Sequence, residues 1–109
     1  MEKKITAILK DLGMPMGNLG FKYIKDGTLA AVEDESIMYG ITKGGLYIVV
    51  AKKNGTTPSR VERAIRHGIE TVFATCNKDT LAKYFGDNVG IKLTNRNFIA
   101  ALVNEIKEG

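Results

Sequence analysis

Residues 52–73 read KKNGTTPSRVERAIRHGIETVF, and the fold turns on how this stretch is parsed. Thr57 followed by Pro58 is a helix start with a mechanism. Threonine accepts from the free amides of the first turn, and proline occupies the first helical position, where its missing N–H costs nothing. At about 100° per residue, Val61, Ala64, Ile65, Gly68, Ile69, Val72 and Cys76 fall on one stripe. Arg60, Arg63, Arg66, His67 and Glu70 fall on the opposite side. The spacing predicts a helix from Pro58 to about Thr75, with one face buried and the other basic and exposed.

Upstream, Gly44 to Lys53 reads as a helix, although LYIVV alone also fits a buried strand. Asn54-Gly55 breaks it. Ala51, Gly55 and Val61 then stand four and six residues apart. A small residue where two helices press together, a glycine that turns with positive φ and a β-branched anchor match a helix-turn-helix. In that motif the second helix enters the major groove and its N-terminal residues meet base edges. Here those are Ser59, Arg60, Glu62 and Arg63. Arginine can fork onto guanine O6 and N7, and glutamate can accept from cytosine N4. A helix that binds phosphate alone gains nothing from a carboxylate. Glu62 also has a local use, an i,i+4 pair with Arg66 worth about 0.3 kcal/mol. Packed helix pairs without any DNA role imitate the same spacing.

Charge supports a polyanionic partner without deciding it. Lys52 to His67 carries five positive residues against one negative, and the remaining residues carry eleven of each sign. The whole net charge of +4 therefore sits in this segment. A focused basic patch suits nucleic acid, and a solvated helix face has the same composition.

Elsewhere helical periods dominate. KKITAILKDLG places Ile5, Ile8, Leu9 and Leu12 on one face and stops at Gly13 and Pro15. Gly20 to Asp34 is expected to be helical, with Tyr23, Ile24, Leu29, Ala31 and Val32 inward, despite Gly27. Ser36 to Gly40 reads as a short turn or helix. KDTLAKYFG reads as a short helix ending at Gly86, and DNVGIKL as loop or extended chain. The last helix, capped by Thr94 or Asn95, turns Phe98, Ile99, Leu102, Val103 and Ile106 inward. The expectation is a single all-α domain over residues 1–109 with about six helices and a helix-turn-helix near 44–75. The tidy strand–helix alternation of a parallel sheet is missing.

Other chemistry is poorly supplied. The single cysteine excludes an intrachain disulfide and suits a reducing cytoplasm; on the apolar stripe, Cys76 is expected to be a buried, inert thiol. No run of roughly 18 apolar residues suggests a membrane span, and MEKKITAILKDLG lacks the form of a secretory signal. No second histidine or nearby cysteine joins His67 in a metal set. Glu33, Asp34 and Glu35 read as a solvated helix end. Gly44-Gly45 lacks the surroundings of a phosphate loop. Tyr47 is assigned to the core. With no catalytic constellation and no cofactor motif, the chain is not expected to be an enzyme.

TTPSRVERAIRHGIE, with ITK and AKK before it, resembles the DNA-binding effector domain of the master sporulation response regulator of endospore-forming bacteria. ITAILKDLGMP, GFKYIKD, DTLAKYFG and TNRNFIA recur in the family's order. The resemblance implies a six-helix domain that regulates transcription by binding TGTCGAA-type boxes in double-stranded DNA, with tandem boxes occupied by a head-to-tail pair. It implies base contacts from Arg60, Glu62 and Arg63. It implies backbone contacts from Ser59, Arg66 and His67, with Lys52, Thr56 and Thr57 as weaker ones. Thr75 to Val89 corresponds to the segment that touches the RNA polymerase sigma subunit, and Asn95 to Lys107 to a helix used in domain pairing. Localisation would be cytoplasmic, on the nucleoid. Full-length family members carry a phosphoacceptor receiver domain, the input of a two-component phosphorelay, and no segment of these 109 residues resembles one.

The chain departs from the family in KKNGTT for KKYNTT, in GGLYIVVA without a proline, and in a shorter loop FGDNVGIKLTN. Gly68 stands for a usual alanine, at an expected cost of about 1 kcal/mol in helix stability. Two other readings of the basic face stay open: a related helix-turn-helix protein with different target sites, and a module that docks an acidic protein.

Overall fold

The computed structural model describes residues 1–39, 45–86 and 92–108. Among them are six α-helices and one 3-10 turn: α1 (Glu2–Asp11), α2 (Leu19–Glu33), the 3-10 turn (Glu35–Met38), α3 (Leu46–Asn54), α4 (Pro58–Thr75), α5 (Lys78–Phe85) and α6 (Asn95–Glu108). The all-α expectation holds. LYIVV is the body of α3, not a strand. The ends at Gly40 and Gly44, and most of DNVGIKL, lie outside the described residues.

Each boundary has a local cause. Gly13, at φ +82°, turns the chain out of α1, and its N–H donates to the Lys10 carbonyl; left-handed backbone suits glycine there. The Asn18 side chain accepts from the Gly20 amide at 2.7 Å and starts α2. Asp34 ends α2 in an extended conformation, and its carboxylate accepts from both the amide and the hydroxyl of Ser36. Those bonds hold its carboxyl below the usual carboxylate range. The Glu33–Glu35 run is exposed, as expected of a solvated helix end. At α6 the cap is Thr94, whose hydroxyl accepts from the Asn97 amide at 3.1 Å.

The α2 helix is the hub, packed against α1, α3, α4 and α6. Its buried face includes Phe21, which the periodicity had not singled out, beside Tyr23, Ile24 and Ala31; Leu29 and Val32 are only partly buried. The predicted inward faces of α1, α4 and α6 all enter this one core. Two glycines let α2 and α4 approach. A Cβ at Gly20 would lie 2.5 Å from the Ala64 carbonyl oxygen and 3.3 Å from the Gly68 Cα. Gly68 is therefore part of a close helix crossing, which the propensity argument alone did not anticipate.

Cys76 is half-buried instead of fully buried. The cause is local: α4 ends at Thr75, and Cys76 takes an extended conformation that leaves the helical stripe. Burial, followed by the Asp11 carboxylate, pushes its thiol up from the ordinary value.

Candidate nucleic-acid interface

The turn between α3 and α4 is built from very few atoms. Gly55 sits in the left-handed region at φ 63°, ψ 38°, and its N–H and that of Thr56 both return to the Ala51 carbonyl. Ala51 and Val61, the small and β-branched positions of the motif, are 3% and 0% exposed. The Thr57 hydroxyl accepts from the Arg60 amide at 3.2 Å, and Pro58 occupies the first turn. The two helices pack directly on one another. The geometry is that of a helix-turn-helix with α4 as its second helix.

The turn is also braced from behind. Asp26, on α2, is 7% exposed. Its carboxylate accepts from the Asn54 side-chain amide at 3.0 Å and pairs with Lys53 at 3.3 Å. The same Asn54 nitrogen reaches the Val50 carbonyl at 2.9 Å. A buried carboxylate needs such partners to be tolerated. Asp26 thus ties the last turn of α3 to the hub helix. The sequence reading missed this role; an acid beside the apolar stripe of Tyr23, Ile24 and Gly27 was the available signal.

On α4, Val61, Ile65, Gly68, Ile69 and Val72 are buried, while Ser59, Arg60, Arg63, Arg66, His67 and Glu70 are exposed. Ala64 lies between the two classes. Among the described residues neither Arg60 nor Arg63 has an ion-pair partner, so both guanidinium groups keep their five donors available. Arg63 lines two shallow grooves. One runs past Tyr23, Thr56 and Arg60; the other runs past Tyr47, Pro58 and Arg66. Lys52 and Thr57 are exposed beside them, and Thr56 is half-buried. Lys52 and Lys53 also lie at the C-terminal end of α3, where cations offset the helix dipole.

Glu62, Arg66 and His67, three of the predicted contact residues, have side-chain partners within the domain. Glu62 accepts from Arg66 Nε at 3.3 Å, the expected i,i+4 pair, and also from the Asn95 side chain at 3.3 Å. His67 Nδ1 lies 3.5 Å from Glu70, and Glu70 also pairs with Lys92. Tyr47 is in the core, as expected, with its hydroxyl accepting from Asn95 at 2.9 Å. Burial raises its phenol from the ordinary value, with the Asn95 bond acting in the opposite sense. The sequence reading gives Asn95 as a cap candidate and as the start of the pairing helix; it misses the inward reach to α3 and α4.

The α6 helix reaches this face through Asn95, and α5 packs against α6. α5 is seated by Leu81 and by Phe85, whose ring lies 5.7 Å from that of Phe73 and 5.0 Å from that of Phe98. The Tyr84 hydroxyl donates to Asp11 at 2.6 Å, and Lys83 reaches the same oxygen at 3.2 Å. Of the segment 75–89, residues 87–89 lie outside the described residues. No group of His, Cys, Asp or Glu among the described residues could hold a metal ion. None of the described helices is long and apolar enough to cross a membrane.

A family model described as sporulation initiation factor Spo0A C terminal matches residues 5–106. The match spans the hub, the helix-turn-helix and both of the last two helices.

Proposed function

From the premise that this chain belongs to the sporulation initiation factor Spo0A C-terminal family, a family of DNA-binding transcription-factor domains, we propose that it reads TGTCGAA-type boxes in double-stranded DNA through the major groove. In this reading α4 is the recognition helix. Arg60, Glu62 and Arg63 contact base edges. Ser59, Arg66 and His67 contact phosphates, with Lys52, Thr56 and Thr57 at the margin. The observation that carries the reading is the leading end of α4: two exposed arginines without ion-pair partners among the described residues, directly after the Gly55 turn, on a helix whose other face is buried.

The remaining parts of the reading follow the family. The domain works in the cytoplasm, on the nucleoid, as the output of a phosphorelay response regulator. It pairs head to tail on tandem boxes through α6, touches the RNA polymerase sigma subunit through residues 75–89, and is not an enzyme. The exposed Lys78 and Asp79 on α5 leave charged groups for a protein partner.

A salt titration tests the DNA reading. Log affinity for a box-bearing duplex should fall linearly with log salt, and Lys52→Ala should flatten the slope by about one unit. The box should be preferred over random duplex by roughly a thousandfold or more. Absence of salt-dependent binding to any duplex would contradict the proposal and favour an acidic protein as the partner of the basic face.

A further inference from the structure

Glu62 is held from two elements at once, its own helix and α6. Its Oε2 receives Arg66 Nε at 3.3 Å from its own helix and Asn95 Nδ2 at 3.3 Å from α6. Asn95 Nδ2 also lies 3.3 Å from the Glu62 backbone carbonyl and 2.9 Å from the Tyr47 hydroxyl on α3. A carbonyl and a carboxylate can only accept, so the amide must turn its nitrogen toward them. Asn95 is free to do this because Thr94, not Asn95, caps α6. Phe98 and Ile99, both 0% exposed, lock the first turn of α6 into the core. The amide is therefore a fixed donor, whereas Arg66 is half-exposed and long.

The consequence falls on the other carboxylate oxygen. Among the described residues Oε1 has no hydrogen-bond or ion-pair partner, and the Glu62 side chain remains 36% exposed. We infer that Asn95 is a positioning residue for specificity: by tying Oε2 inward it presents Oε1 as the acceptor that reads an exocyclic amine on a base. This rests on the reading of Glu62 as a base contact. A glutamate on an exposed helix turn otherwise samples several rotamers, and each rotamer offers its oxygens to a different place. Asn95 thus sets base preference from a helix that lies outside the helix-turn-helix.

The test is position-resolved base preference, measured by selection from a randomised duplex pool and by anisotropy on single-base variants of the selected site. Glu62→Ala identifies the base pair that Glu62 reads. Asn95→Ala should reduce discrimination at that same pair roughly fivefold or more, and leave the pairs read by Arg60 and Arg63 within about twofold of wild type. Asn95→Asp, which keeps the shape and replaces the donor with a charge facing Glu62, should do the same and covers the case in which the alanine variant fails to fold. In a Glu62→Ala background neither substitution should change that pair further. Preference at the Glu62 pair surviving both substitutions would overturn the inference. So would a uniform loss at every base pair, which is the mark of a structural role alone. If Glu62→Ala itself leaves every preference intact, the reading of Glu62 falls first and takes this inference with it, a result visible before any Asn95 variant is made.

Discussion

At Gly20 and Gly68 a single methyl group would meet very different neighbours. On Gly20 it would strike the Ala64 carbonyl oxygen at 2.5 Å, which is backbone of α4 and cannot move without moving the helix. On Gly68 the nearest atoms are Cε and Sδ of Met14, at 3.3 and 3.4 Å, the far end of a flexible side chain. Gly20→Ala should therefore destabilise the domain by about 1–3 kcal/mol, the usual cost of forcing bulk into a packed contact. Gly68→Ala gains up to about 1 kcal/mol of helix propensity against a small shift of Met14, and should stay within about 1 kcal/mol of wild type. Thermal unfolding of the two variants checks this. Equal losses would contradict the α2–α4 crossing. At this scale the sequence showed that Gly68 lies on the inward stripe. It did not show the partner, because Gly20 is forty-eight residues away and nothing local marks the pair.

Among the elements, α5 is the one whose attachment depends most visibly on ionised side chains. Asp11, at the end of α1, accepts from Tyr84 and Lys83. The Tyr84 hydroxyl, and after it Lys83, hold the Asp11 carboxyl below its ordinary value. A carboxyl depressed in the folded state contributes stability above its unfolded value, and that contribution is lost as pH falls through the folded value. The contact should therefore persist at neutral pH and weaken only below the ordinary carboxylate range, near pH 4. An NMR pH titration of the Asp11 side-chain carboxyl should show a midpoint below that range, and Tyr84→Phe should raise it toward the ordinary value. A midpoint at or above the ordinary value would contradict the contact. The α5 boundaries were legible: Asn77 accepts from the Thr80 amide and Gly86 ends the helix, all within one stretch of chain. The same holds for α4, whose Thr57 cap, Pro58 start and Gly55 turn are neighbours. What holds α5 to α1, and α6 to α3 and α4, was not legible. Asp11 and Tyr84, or Asn95 and Glu62, are polar residues on exposed-looking faces, and their pairing is decided by helix packing instead of periodicity.

Across the whole molecule the net charge sits in one segment, and the fold brings its parts together. The basic segment Lys52–His67 spans the end of α3, the turn and the leading half of α4. The buried stripe of α4 and the Asp26 brace hold these pieces rigidly against α2. Elsewhere Lys25 pairs with Glu2, Lys83 with Asp11 and Lys107 with Glu35, so several other cations are matched by nearby acids. Arg60 and Arg63 remain without such partners among the described residues, and the sequence-derived charge count already pointed to their segment. Selection from a randomised duplex pool, run in parallel with wild type and Arg60→Ala, tests the central claim most directly. Direct base reading by α4 predicts a defined wild-type site and, in the variant, relaxed preference confined to the base pair that Arg60 reads, with a loss of about 1–3 kcal/mol on the wild-type site. An Arg60→Ala variant that selects the same site with undiminished preference at every position would contradict it.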